Sequence, residues 1–138
     1  MAFSETLSQC TALWRAQGVS LGPPRSEAEI RHLWSELGHR ISDDVLTLYS
    51  TLGGFAEYEF DGTSLDWSLW PWDWLIKRNR EERRSRVMFC DHSIEIATWE
   101  LRYRNKDVSS VWLYDHPTAP SLESFFNTYL DDPWKLMT

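Results

Sequence analysis

The spacing of apolar and polar residues predicts three amphipathic helices in the first part of the chain. The first covers residues 4 to about 16, where apolar side chains recur every three or four positions. The second begins after Ser26, and Glu29 lies where a capping box requires an acidic or amide side chain. The third begins after Ser42 and ends at Gly53-Gly54, because glycine readily takes the left-handed conformation that closes a helix.

In the middle of the chain the apolar repeat shortens to every second residue, which is typical of strands with one buried face. Asp61-Gly62 is a hairpin signal, and Pro71 is well placed to open a short helix. The apolar parity changes between Ile96 and Trp99, so we expect a β-bulge near Ala97. The predicted strands cover residues 56–60, 65–69, 87–90, 94–103 and 108–114.

The end of the chain returns to a helical pattern. Residues 115–120 are predicted to be a loop, and Ser121 is predicted to cap the last helix. Helices, then a run of strands, then one helix indicate the α+β class. We therefore expect residues 1–138 to form a single domain. Its sheet should be mainly antiparallel or mixed, with about five to six strands flanked by N-terminal helices and one C-terminal helix.

Composition and charge narrow the function classes. The 138 residues carry a net charge of -7, with a pI near 5.0, which disfavours nucleic-acid binding and suits a basic partner. Cys10 and Cys90 are too few for a disulfide framework. The chain shows neither a signal peptide at its start nor an apolar run long enough to cross a bilayer. We expect a cytoplasmic protein with no membrane partner.

One segment departs from the acidic average. Residues 77–86 include six basic and two acidic side chains. A segment of this length without interleaved aromatics fits a solvated connection better than a nucleic-acid patch. We expect it to be a helix end or loop, held by pairs such as Lys77–Glu81.

Four of the nine tryptophans lie within residues 65–75, where they could form a ligand-stacking surface, an interface anchor or part of the core. Alternation assigns Trp67, with Leu65 and Leu69, to the core. Trp74 and Leu75 are predicted to pack the short helix onto the sheet. Trp70 and Trp72 remain the candidates for a surface position.

Carboxylates surround the same stretch. Glu57, Glu59 and Asp61 share one face of the first predicted strand, and an exposed sheet face is often simply polar. Combined with aromatic anchors, however, such carboxylates could bind and steer a basic partner. The predicted partner-binding residues are Glu57, Glu59, Asp61, Asp66, Trp70, Trp72 and Asp73.

Sequence motifs for catalysis are missing. There is no glycine-rich phosphate loop, no Gly-x-Ser-x-Gly elbow and no His-Glu-x-x-His. Cys90 and His92 could share a strand face and touch a metal, but further ligands at suitable spacing are lacking. Adjacent Asp115 and His116 fit a solvated turn better than an acid–base pair. We predict no catalytic residues, no metal and no cofactor.

Five segments together resemble the SUKH superfamily, which includes fungal cell-wall assembly regulators and bacterial toxin immunity proteins. Leu52-Gly-Gly54 is similar to the family's Asn-Gly-Gly helix end, and Val87-Met-Phe-Cys-Asp91 to its Phe-Gly-Asp strand end. Residues 119–130 resemble its closing Ser-Phe-Glu-Glu-Phe-Leu helix. Residues 26–30 and 37–49 resemble its opening helix and the helix that follows, with Ile41-Ser42 in place of Leu-Pro.

The resemblance implies an α+β domain that binds a protein and shares no catalytic residues with its relatives. The most frequent role in such a family is neutralisation of a toxin, here one that could be a basic nuclease-type domain. We therefore expect a non-enzymatic immunity protein. Two alternatives stay open: an intracellular scaffold or regulator of the cell-wall type, and a small-ligand or carbohydrate binder that uses clustered tryptophans.

Overall fold

The computed structural model describes residues 2–58, 67–93 and 95–137. These ranges contain three helices, then a strand, a helix and four further strands, and then a last α-helix. The helices are α1 (Phe3–Ala16), α2 (Glu27–Glu36), α3 (Asp43–Thr51), α4 (Trp72–Glu82) and α5 (Leu122–Asp131). The strands are β1 (Trp67–Leu69), β2 (Val87–His92), β3 (Ala97–Tyr103), β4 (Ser109–Leu113) and β5 (His116–Ala119), and a short 3₁₀ helix covers Pro133–Met137.

Helix starts follow the local signals closely. The Ser26 hydroxyl accepts from the Glu29 backbone N–H while the Glu29 carboxylate accepts from the Ser26 N–H, so the predicted capping box is confirmed. The Ser121 hydroxyl caps α5 in the same way, from the Ser124 N–H. Ser42 differs, because its buried hydroxyl donates to Asp44 instead of capping α3.

The five strands form one antiparallel sheet in chain order, β1-β2-β3-β4-β5. The α+β class and the helix-flanked antiparallel sheet are thereby confirmed. Every neighbouring pair of strands is also consecutive in sequence, which makes the sheet a simple meander.

Several predicted strand details are wrong. The described part of the first predicted strand, residues 56–58, forms bends, and the Asp61-Gly62 turn lies outside the described residues. The predicted loop at 115–120 contains β5, which pairs with β4. The bulge lies at Phe89 in β2, not near Ala97. Ile96 lies before the first residue of β3 and is 72% exposed. The change of apolar parity between Ile96 and Trp99 therefore does not occur within the strand.

The sheet has two different faces. Trp99 and Leu101 of β3 are buried on the inner face, where Trp99 packs 6.0 Å from Phe125 of α5. On the outer face α4 covers β2, since buried Asn79 donates to the Met88 carbonyl and accepts from its N–H, both at 2.9 Å. Among the described residues no helix packs on the outer face of β3, β4 and β5, where Arg102 is exposed and Trp112 is half-buried. This part of the sheet is therefore where a site can form.

Helix α4 is longer than the sequence indicates. It runs through Glu82 and so takes up residues 77–82 of the predicted basic connection. The expected Lys77–Glu81 pair is not found: Glu81 pairs with Arg78 at 3.7 Å, while the Lys77 ammonium lies over the Trp74 ring.

Candidate functional site

The predicted acidic edge is only partly described. Glu57 and Asp73 are exposed, as a binding role requires. Glu59, Asp61 and Asp66 lie outside the described residues.

The tryptophans predicted for this edge are not at the surface. Trp70 is fully buried and Trp72 is 5% exposed, so the expectation of a surface position is wrong for both. Trp72 packs 5.3 Å from Tyr49 and lies 5.6 Å from the Arg25 guanidinium. Neither ring can contact a partner while the fold is intact.

The other aromatic assignments of this stretch hold. Trp67, Leu69 and Leu75 are buried, which confirms their predicted core positions. Trp74 is half-buried and stacks on Tyr58 with ring centroids 4.6 Å apart. Leu65, the remaining predicted core residue, lies outside the described residues.

Trp70 is held by a buried carboxylate. Its indole N–H donates to Asp91 at 2.9 Å, and the Tyr58 hydroxyl donates to the same oxygen. The Glu95 backbone N–H donates to it at 3.2 Å. Burial raises the pKa of Asp91, while the donors from Tyr58 and Trp70 oppose that shift. We call Gly54, Tyr58, Trp70 and Asp91 the Trp70 corner; it fastens the end of β2 to the segment before residue 59.

A second buried carboxylate organises the outer face of the sheet. The side chain of Glu100 is 3% exposed, and it pairs with Arg84 at 2.6 Å and with Arg86 at 3.3 Å. One carboxylate therefore faces two guanidinium groups. Arg78 and Arg80, the other paired cations of the basic segment, bind Glu95 and Glu36 at 2.7 and 2.6 Å.

The uncovered part of the outer face contains an open cleft of about 560 Å³. Six of its lining residues define what we call the β3–β5 cleft: Arg102, Arg104, Ser110, Trp112, Pro117 and Pro120. Trp112 lies in its floor, half-buried, and donates through its indole N–H to the Ser110 hydroxyl at 2.9 Å. The guanidinium groups of Arg86 and Arg102 lie 5.1 and 5.7 Å from the Trp112 ring.

Sequence reasoning missed this cleft. Its residues come from three strands and the loop after them, so they form no local motif. Val111 is buried, and Trp112 follows it in the strand, so the Trp112 side chain must lie on the opposite face of the sheet. This alternation is the sequence signal that could have indicated the cleft.

Comparison of the chain with protein-family models, with curated proteins and with solved structures found no match.

The Cys90-Asp91-His92 cluster divides between the two faces of the sheet. Cys90 and His92 are paired with the inner-face residues Trp99 and Ala97, whereas Asp91 faces outward into the Trp70 corner. Cys90 is a buried strand residue as predicted, and His92 is the last strand residue rather than a turn residue. Within the described ranges, no three His, Cys, Asp or Glu side chains are grouped so as to hold a metal.

No helix in the part of the chain that the structure describes is both long and apolar enough to cross a bilayer.

Proposed function

We propose that this protein is a non-enzymatic binding domain of the SUKH type, an immunity protein that neutralises a bacterial toxin by direct contact. The resemblance in sequence supports this proposal, and so does the place of its segments in the fold. Residues 26–30 open α2, Leu52-Gly-Gly54 ends α3, residues 87–91 form most of β2, and residues 119–130 lead into and through α5.

The observation that carries the proposal is that two of these segments, Leu52-Gly-Gly54 and residues 87–91, meet at one residue, Trp70. Gly54 has a φ of +82°, and a Cβ there would lie 2.9 Å from the Trp70 carbonyl carbon and closer still to its oxygen. Asp91, the last residue of the other segment, accepts from the Trp70 indole. Glycine and aspartate are thus required by tertiary contacts at the Trp70 corner, and not merely by a helix end and a turn.

The exposed side chains suit a protein partner. Trp134 and Tyr114 are 59% and 52% exposed, and Trp112 is half-buried beside arginines. Tryptophan, tyrosine and arginine are the side chains that most often anchor protein interfaces. Trp112 lies on β4 and Trp134 on the short 3₁₀ helix, so these two rings lose little ordering entropy on binding.

Co-expression with the toxin encoded by the neighbouring gene tests the proposal. We expect the protein to restore growth and to form a stable complex with an inactive toxin variant, measured by calorimetry. No protection together with no complex would refute the immunity role. The scaffold alternative predicts a different result, in which a host protein is bound and no toxin gene is adjacent.

A further inference from the structure

We propose that the β3–β5 cleft is a docking site for an acidic segment of a protein partner. This inference rests on the proposed protein-binding function and assigns it a surface and a partner chemistry. It also reverses the charge expected from the sequence, which suggested a basic partner for an acidic edge.

The first support is the charge of the cleft. The protein as a whole carries -7, yet Arg102 and Arg104 are exposed and have no carboxylate within 4.0 Å among the described residues. Among the described residues, the Arg104 side chain donates a single hydrogen bond, to the Pro120 carbonyl at 3.4 Å. At the side of the cleft, Glu100 is shared between Arg84 and Arg86. The cleft is therefore a positive area on a negative protein, and it attracts anionic groups.

The second support is the arrangement around Trp112. Two guanidinium groups already lie within the 6 Å at which a cation interacts favourably with an aromatic face. Because two guanidinium groups already lie close to the Trp112 ring, little of its face is left for a nucleobase to stack on. Arg86 already donates to Glu100 and to the Tyr114 carbonyl. Arg102 has no carboxylate partner among the described residues, so it keeps its N–H donors in the fork that binds carboxylates in a bidentate manner. The cleft thus favours Asp and Glu side chains over a nucleotide.

The third support concerns how such a segment would lie. β5 is the edge of the sheet and contains Pro117, which has no N–H to offer an added strand. A partner segment is therefore expected to cross the outer face above Trp112 rather than extend the sheet by pairing with β5.

A direct binding experiment tests this assignment. The probe is a fluorescein-labelled peptide of alternating Glu and Ser, about eight residues long, enough to cross three strands spaced ~5 Å apart. Its binding is followed by anisotropy with the full chain, with R102E/R104E, and with the matched control R15E/R31E. Arg15 and Arg31 are exposed on α1 and α2, so both double variants change the net charge equally. Circular dichroism and thermal melts confirm that each variant is folded.

We expect the peptide to bind the unaltered protein, more weakly as salt is raised. R102E/R104E should weaken binding by about tenfold or more, whereas R15E/R31E should change it by no more than about twofold. A Lys-Ser peptide of equal length should not bind. The proposal is overturned if the Glu-Ser peptide fails to bind, if both double variants lose binding equally, or if oligothymidylate of the same length binds more tightly than the peptide.

The toxin assay separates this proposal from the immunity role. Loss of protection by R102E/R104E alone would support the cleft as the docking site. Full protection by R102E/R104E would overturn the cleft assignment while leaving the immunity role intact. Failure of the unaltered protein to protect would refute the immunity role, and the peptide titration would still decide whether the cleft binds acidic segments.

Discussion

Replacing Gly54 by alanine tests whether the end of α3 is fastened by close backbone contact at the Trp70 corner. Gly18, Gly38 and Gly54 have almost the same φ, from +81° to +82°. A Cβ at Gly18 or Gly38 would meet nothing within 4 Å, whereas at Gly54 it would overlap the Trp70 carbonyl group. The three Gly→Ala variants therefore share the conformational cost and differ in the steric cost alone.

The expected magnitudes follow from these contacts. The left-handed conformation costs alanine about 1 kcal/mol at each position. At Gly54 the segment around Trp70 must also move by on the order of 1 Å to reach ordinary contact. That movement strains two backbone hydrogen bonds of 2.9 Å, from Phe55 to Leu69 and from Trp70 to Phe89, worth about 1 kcal/mol each. Overpacking adds about 1–3 kcal/mol, so Gly54→Ala should cost about 4–6 kcal/mol in total.

Urea unfolding followed by circular dichroism measures the difference. With a slope of about 1.5 kcal/mol/M, the midpoint of Gly54→Ala should fall by about 3 M, and those of Gly18→Ala and Gly38→Ala by less than about 1 M. A variant already unfolded without urea would agree with the upper end of this range. If all three midpoints agree within about 0.5 M, the Trp70 carbonyl does not pack against Gly54, and the convergence on Trp70 is refuted.

Three further predictions concern buried groups. Asn79→Ala should lower the free energy of unfolding by about 3 kcal/mol in urea titrations, because the buried N–H and C=O of Met88 lose their partner. Burial raises the pKa of Asp91 above its ordinary value of 3.8, so its contribution to stability is fully present below that pH and is lost as pH rises through the folded-state pKa. The unfolding free energy of the unaltered protein minus that of Asp91→Asn should accordingly fall as pH is raised above about 4. Burial also raises the pKa of Cys10 to about 12 and that of Cys90 well above its ordinary range, so neither thiol should react with an aromatic disulfide reagent at about pH 8 until urea is added.

Each of these predictions has a contrary outcome. A loss below about 1 kcal/mol for Asn79→Ala would mean that water reaches Met88. A difference that rises with pH would show that the donors from Tyr58 and Trp70 outweigh burial at Asp91. Rapid labelling of one thiol under native conditions would show that its helix or strand opens locally.

Elements whose signals are local could be predicted from the sequence. The capping box at Ser26 and the cap of α5 each depend on a few neighbouring residues, and the structure has both. The predicted left-handed glycine end of α3 is wrong, because the helix ends in an extended residue, Leu52, and the positive φ comes only at Gly54. Strand β5 could not be predicted, because its His-Pro-Thr-Ala sequence has no alternation and its pairing comes from β4. Tertiary pairing thus formed a strand where propensity indicated a loop.

The candidate site was harder to predict for the same reason. Trp70 was assigned to the surface because Asp66 and Asp73 are near in sequence, but Asp91 and Tyr58 bury it. The basic segment is predicted to be held by local pairs such as Lys77–Glu81. In the structure, four of its arginines pair with glutamates from α2, the turn after β2, and β3. A buried ion-pair partner that lies far away in sequence leaves no periodic signal.

Helix α1 has a consequence for how the chain folds during synthesis. It is held mainly by α5: Thr6 donates to Asn127 at 2.8 Å and the Trp14 indole donates to Tyr129 at 2.9 Å, across more than a hundred residues of chain. The meander between them pairs only consecutive strands, so it can assemble as it leaves the ribosome. The apolar stripe of α1 is therefore translated early and covered late. In the interval it is a natural target for a chaperone, and an arrested chain that lacks α5 should aggregate through it.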